Sequence, residues 1–194
     1  MSVTVEKCLQ AWTNSLRQMN AKADIVFFGD SLTYYGDFSS VFPDKIVCNL
    51  GLRGDTLVGM FKRVDQVKLL NPTLIFLMAG INDVSKRSLV DFRKDYEQLV
   101  REIILQVPEG KLVLQSILPV NSTDFQVSCN NTQIQACNEV IENISEIYKL
   151  DYIDLYSIYL KYNNQSESIF KDGIHIKERE YNTWKNLLKL HYKL

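Results

Sequence analysis

Apolar positions along this chain alternate between two rhythms. Val5, Cys8, Leu9, Trp12, Leu16 and Met19 recur at helical spacing, which predicts an amphipathic helix over residues 4–19. Ile25, Val26, Phe27 and Phe28 then form an unbroken apolar run, too short for a helix and bounded by Gly29 and Asp30. Such a run reads as a fully buried parallel strand. Residues 45–49 predict a second strand, 73–79 a third, 111–118 a fourth and 152–155 a short fifth. Between the second and third, Leu57, Met60, Phe61, Val64 and Val67 predict a helix stopped by Asn71 and Pro72. Ser88 and Asp91 make a capping-box pattern that opens a helix through residue 106, closed by Pro108 and Gly110. Further helices are predicted over 129–150 and 178–191, and the longest irregular stretches are 30–44, 119–128 and 161–176.

Strands that alternate with helices imply right-handed crossovers and a parallel sheet covered on both faces. The expectation is an α/β fold with five parallel strands in the order 2-1-3-4-5. Its switch point lies between the first and third strands, where open α/β sheets place their ligands. Each of the first three strands ends in a polar cluster: Gly29-Asp30-Ser31-Leu32, Gly51-Leu52-Arg53-Gly54-Asp55 and Gly80-Ile81-Asn82-Asp83. All of these fall on one edge of the sheet, so chemistry is expected there.

Composition narrows the function classes. A length of 194 residues fits one domain, 1–194, large enough to bury about 70% of its unfolded surface. No repeat, low-complexity segment or linker interrupts it. Net charge is −1 with both signs interspersed, which supports neither nucleic-acid binding nor an acidic partner. No signal-peptide pattern opens the chain and no run approaches a membrane span. Of four cysteines, Cys8 and Cys48 sit in apolar patterns as small core residues. Cys129 and Cys137 stand roughly 12 Å apart along the predicted helix, too far to bridge. Reduced thiols and a cytoplasmic location are expected, and the sequons at Asn121, Asn130, Asn143 and Asn164 carry no weight without a secretion signal. No Cys/His cluster or His-x-x-x-His spacing offers a metal site, and no cofactor is expected. Gly51-Leu52-Arg53-Gly54 lacks the Gly-Lys-Ser/Thr ending of a phosphate loop.

Ser31 reads either as a nucleophile or as the cap of the next helix. The chain has two histidines, and His191 lies in a Lys-rich tail. His175 follows Asp172 by three positions, a spacing that in a turn lets the carboxylate accept from Nδ1–H and leaves Nε2 as a base. Serine needs such a base, because a hydroxyl alone is a weak nucleophile. The alternative is that Asp172 caps a turn and His175 decorates a helix start. Gly54 suits a backbone N–H donor and Asn82 a side-chain donor to an oxyanion, or else a helix-start glycine and an ordinary turn. Asp30, Asp55 and Asp83 read as loop-holding carboxylates.

Taken in order, Gly29-Asp30-Ser31-Leu32, Gly54-Asp55-Thr56 after Asn49-Leu50-Gly51, Gly80-Ile81-Asn82-Asp83 and Asp172-Gly173-Ile174-His175 resemble the blocks of the SGNH (GDSL-type) hydrolases. The resemblance spans residues 24–184. The stretches 49–56 and 76–83 look like the branch related to platelet-activating-factor acetylhydrolase and bacterial carbohydrate O-acetylesterases. It implies a flavodoxin-like three-layer α/β/α fold and metal-independent ester hydrolysis. On this pattern Ser31 is the nucleophile, His175 the base and Asp172 its orienting acid, with Ser31, Gly54 and Asn82 as the oxyanion hole.

A short chain without an obvious lid favours a small acyl group such as acetyl. Longer-chain lysophospholipase or thioesterase activity and a non-catalytic binding module are the alternatives. Tyr34, Tyr35, Phe38, Gln115, Asn121 and Phe125 suit a sugar, or line ordinary loops. Arg53 suits an anionic substrate, or a surface salt bridge. Oligomeric state is not read from the sequence, although Tyr181 and Tyr192 are expected as exposed tail aromatics.

Overall fold

The structure is a computed structural model that describes residues 3–162 and 168–192, the side chains of 3–6 and 8 excepted. Asn164 and the Cys8 side chain therefore lie outside the described residues. The element order is α1 (Val3–Gln18), β1 (Ile25–Gly29), α2 (Ser31–Tyr34), β2 (Val47–Gly51), α3 (Leu57–Phe61), α4 (Val64–Leu70), β3 (Leu74–Met78) and α5 (Leu89–Gln106). There follow β4 (Lys111–Gln115), α6 (Asn131–Tyr148), β5 (Asp151–Ile153), α7 (Leu155–Tyr162) and α8 (Tyr181–Tyr192).

The sheet order is β2-β1-β3-β4-β5 and every pairing is parallel. Gly29, at the end of β1, pairs with Gly51 of β2 and Met78 of β3, so the three polar clusters leave the sheet side by side. β1 is buried at all five positions, which is why it reads as a continuous apolar run with no alternation. On one face α4 packs on α5 and α5 on α6, with α1 against α4. Right-handed crossovers that each step toward β5 must share that face. The β1–β2 connection steps the other way and runs over the opposite face. There Phe38 stacks on Phe27 at 4.0 Å between centroids and Trp184 of α8 meets Phe38 at 5.0 Å. Helices therefore cover both faces of one sheet.

Several sequence expectations change in detail, among them the fourth strand, which ends at Gln115 rather than 118. The helix expected over residues 57–67 is two, α3 and α4, because the chain breaks at Arg63 to turn that side chain inward. The helix expected from residue 129 starts at Asn131 behind a reciprocal Asn130–Gln133 capping box, which leaves Cys129 outside it. The helical spacing estimate for Cys129 and Cys137 thus does not apply, although both thiols are free. β5 ends at Ile153 rather than 155, since Asp154 accepts from the Ser157 N–H at 3.0 Å and starts α7. Tyr181 is buried rather than exposed, and Tyr192 is half-buried with its ring against Phe76.

Candidate active site

Of Asp30 and Ser31, it is Asp30 that caps the helix that follows. Asp30 is the N-cap of α2, its Oδ1 accepting from the Leu32 N–H at 2.9 Å. Ser31 is the first helical residue, so its backbone N–H belongs to the open first turn. Its Oγ lies 2.8 Å from His175 Nε2. Tyr181 donates its hydroxyl to the Leu32 carbonyl at 2.8 Å, and Asn49 donates to the Thr33 and Gly36 carbonyls, so α2 is held from both sides.

His175 comes from a turn 144 positions away in sequence. Phe170 and Ile176 bridge antiparallel across that turn, the Lys171 N–H donates to the His175 carbonyl, and Gly173 accepts from the Asn121 N–H. Asp172 both caps the turn and meets the imidazole, and His175 lies in that turn rather than at a helix start. Asp172 Oδ1 accepts from the Ile174 and His175 N–H groups at 3.1 and 2.8 Å, while Oδ2 lies 2.7 Å from His175 Nδ1. Partial burial opposes ionisation of Asp172, but the bonds from His175 and Ile174 outweigh it and hold the carboxyl below its usual range. Gly173 sits at φ +87°, and a Cβ there would fall 2.7 Å from atoms of Phe125 and Val127, so both conformation and space call for glycine.

The candidate oxyanion donors converge from the neighbouring strand ends. Gly54, just past β2, has φ +72° and open space on its Cβ side. Asn82, just past β3, donates one amide N–H to the Asp55 carbonyl at 2.8 Å, which orients the amide and leaves its second N–H for a ligand. Asp83 Oδ2 accepts from the Leu57 N–H at 3.1 Å, tying the same two loops together.

Beneath these loops lies a buried ionic cluster. Arg63 Nε contacts Asp55 Oδ2 at 2.6 Å, and its two terminal nitrogens donate to the carbonyls of Leu50 and Gly29 at 2.8 and 3.0 Å. The guanidinium lies 4.4 Å from the centre of the Phe28 ring. One side chain thus clamps the last turns of β1 and β2, from which Ser31 and Gly54 emerge. Burial pushes the Asp55 carboxyl up against the pull of that guanidinium. Burial also raises Asp30 to about 7, aided by the charges of Asp55 and Asp83, and raises Asp83 to about 6. The Oδ2 atom of Asp30 has no partner. These three aspartates hold loops, as their sequence positions suggest. Arg63 was not singled out by sequence; the available signal was an arginine three residues after Met60 and four before Val67, on the apolar stripe.

The other candidates separate by burial. Phe38 is core, and Gln115 and Asn121 are buried, with Asn121 donating to Asp124 and Ser168. None of the three is free to line a sugar site. Tyr34 and Tyr35 are exposed, and the Tyr35 ring meets His175 edge-on at 5.5 Å. A groove of about 860 Å³ runs along α5 past Phe61, Val90 and Tyr148 and includes none of the residues around Ser31. Among the described residues no group of His, Cys, Asp or Glu could hold a metal ion, and no helix is long and apolar enough to cross a membrane.

The family model of GDSL-like lipases and acylhydrolases matches residues 27–181, so the chain belongs to that family of carboxylic ester hydrolases. Solved structures share its fold. A protein from Streptococcus pneumoniae whose description names platelet activating factor superposes with TM-score 0.79 at 21% identity, over 98% of this chain and 99% of that one. A lipase/acylhydrolase from Enterococcus faecalis gives 0.73 at 24% identity, over 87% and 94%. The acetyl xylan esterase AlAXEase gives 0.73 at 19% identity, over 86% and 98%. No curated protein sequence matches the chain.

Proposed function

We propose that residues 1–194 form one serine esterase domain that removes small acyl groups, acetyl above all, from a carbohydrate or similar small alcohol. The observation that carries this reading is the unbroken chain from Ser31 Oγ to His175 Nε2 and from Nδ1 to Asp172, at 2.8 and 2.7 Å. His175 takes the Ser31 proton as the hydroxyl attacks the ester carbonyl. The backbone N–H groups of Ser31 and Gly54 and the Asn82 amide stabilise the oxyanion. The tetrahedral adduct collapses as His175 protonates the departing alcohol. Water, activated by the same ring, then hydrolyses the acyl-enzyme. The likeness to an acetyl xylan esterase supports acetyl as the acyl group and a sugar as the alcohol. The free thiols of Cys48, Cys129 and Cys137 suit a reducing, cytoplasmic setting.

The test is turnover of p-nitrophenyl acetate by Ser31→Ala, together with fluorophosphonate labelling of the unaltered protein. Loss of both turnover and label in the variant is expected. Turnover equal to the parent's sinks the nucleophile assignment, and a parent that takes no label points to a binding module. Asn82→Ala is expected to lower kcat by about 10²–10³. A p-nitrophenyl ester series of rising chain length reads the acyl pocket, with the rate expected to fall beyond acetyl.

A further inference from the structure

Two cations stand beside the site. Arg53 Cζ lies 5.7 Å from the centre of the Tyr35 ring, and Lys171 Nζ lies 5.7 Å from the same centre. The two residues stand 118 positions apart in sequence, Arg53 one position before Gly54 and Lys171 one before Asp172. Both side chains are exposed, and among the described residues neither forms an ion pair. Surface lysines and arginines of this chain elsewhere do pair, as Arg17 does with Asp65 and Lys111 with Asp151. A tyrosine ring attracts a cation but offers no acceptor in its plane of contact, so the N–H donors of both groups stay available.

Their position decides which part of a substrate they meet. If Ser31 and His175 act as proposed, the acyl oxygen faces Gly54 and Asn82, while the departing alcohol must lie within reach of His175 Nε2. The Tyr35 ring touches His175 edge-on, and the two cations gather around that ring. We infer that Arg53, Lys171 and Tyr35 form a subsite for an anionic group, carboxylate or phosphate, on the alcohol portion of the ester. The Tyr35 ring gathers the two cations beside His175, and their free N–H donors select the negative substituent. The inference rests on the esterase reading for its orientation.

The test compares 4-acetoxybenzoate with its neutral methyl ester, and 4-acetoxyphenyl phosphate as the phosphate arm, in the parent, Arg53→Gln, Lys171→Gln and the double variant. Intrinsic leaving-group reactivity cancels when the anionic-to-neutral ratio of kcat/KM is compared across variants. That ratio is expected to fall about 3–5-fold for each charge removed, through KM, as exposed charge pairs allow. Its sensitivity to added salt falls with it. A larger fall for the phosphate ester than for the benzoate assigns the subsite to phosphate, and the reverse assigns it to carboxylate. A ratio unmoved in the double variant for both anions overturns the subsite. Calorimetric binding of 4-acetoxybenzoate to Ser31→Ala, with and without the two Gln substitutions, reads the same charges without turnover. Weaker binding in the triple variant supports the subsite even if Ser31 proves not to be the nucleophile; equal binding removes it while leaving the esterase reading standing.

Discussion

Ser31 is 7% exposed at the end of a strand buried along its whole length, whereas the side chains of His175 and Asp172 are 25% and 56% exposed on a turn. The Ser31 half is assembled from strand ends and a buried guanidinium. The His175 half is assembled from an Asx turn, one antiparallel bridge and a glycine at positive φ. Their carboxylates respond in opposite senses: burial drives Asp30 up, and hydrogen bonds hold Asp172 down. On the proposed mechanism the difference separates two tasks. A hydroxyl that attacks must be fixed in place and shielded, while an imidazole that shuttles protons needs access to water and a charged partner that stays charged.

The largest expected effect tests whether the halves act as one unit. His175→Ala should lower kcat on p-nitrophenyl acetate by about 10⁴-fold or more, and the double variant with Ser31→Ala should be no worse than either alone. Steady-state rates checked against thermal melts decide it. Losses that multiply in the double variant would mean that the two residues serve separate steps.

Next in size is the asymmetry in stability. Arg63→Met leaves Asp55 as an unpaired buried charge and releases the carbonyls of Leu50 and Gly29, so unfolding free energy should drop by about 3–5 kcal/mol. Asp172→Asn keeps an acceptor for the turn and should change stability by less than about 1 kcal/mol, while still impairing turnover. Urea titrations of the two variants measure the contrast, and equal losses would erase it.

How much of this could be read from the chain follows the same division. The strands and the four polar blocks are local signals: a buried parallel strand must be continuously apolar, and its end must supply the polar residues. Ser31, Gly54 and Asn82 could therefore be placed on one sheet edge by residue type and order, whereas Asp172 and His175 follow no strand and joined them only through the resemblance to the SGNH hydrolases. Contacts among them could not be placed. That Ser31 meets a histidine at all depends on a contact across 144 positions, while Asp30 caps α2 locally. Arg63 was hidden because a single apolar stripe runs through α3 and α4, and only tertiary partners bend the chain between them. Phe38 and Tyr181 look like surface aromatics until α8 folds over the β1–β2 connection and buries both.

A smaller effect should appear in the dependence of stability on pH. In the unfolded chain Asp30 titrates near 3.8, and in the folded protein near 7. Between those values the folded state binds more protons, so stability falls as pH rises from about 4 to 7 and then levels. Asp172 acts the other way: its contribution is present above the ordinary carboxylate range and is lost as pH falls through its depressed value. Asp30→Asn keeps an acceptor for the Leu32 N–H and removes the buried charge. The variant should gain about 1–3 kcal/mol over the parent at pH 8 and much less at pH 4. The decline that remains should come from Asp83, which titrates near 6, and from Asp55, which burial also pushes up. Urea midpoints across pH supply the readout, and a gain of the same size at both ends would assign the effect to packing instead of charge.

The smallest expected effect concerns a strand-end glycine that shares the backbone region of the glycine in the His175 turn. Gly54 and Gly173 both hold positive φ, at +72° and +87°. At Gly173 a methyl group would also strike Phe125, Val127 and the Asn121 carbonyl, so conformation and packing both resist it. At Gly54 a Cβ meets nothing within 4 Å, so Gly54→Ala should cost only the left-handed backbone strain, about 1 kcal/mol. An unpacked loop can relieve that strain by rotating to negative φ. Such a rotation turns the Gly54 N–H away from where an oxyanion would form. Gly54→Ala should therefore lower kcat more than its stability loss accounts for, with KM little changed. A variant with parental kcat would show that Gly54 shapes the loop without donating to the oxyanion.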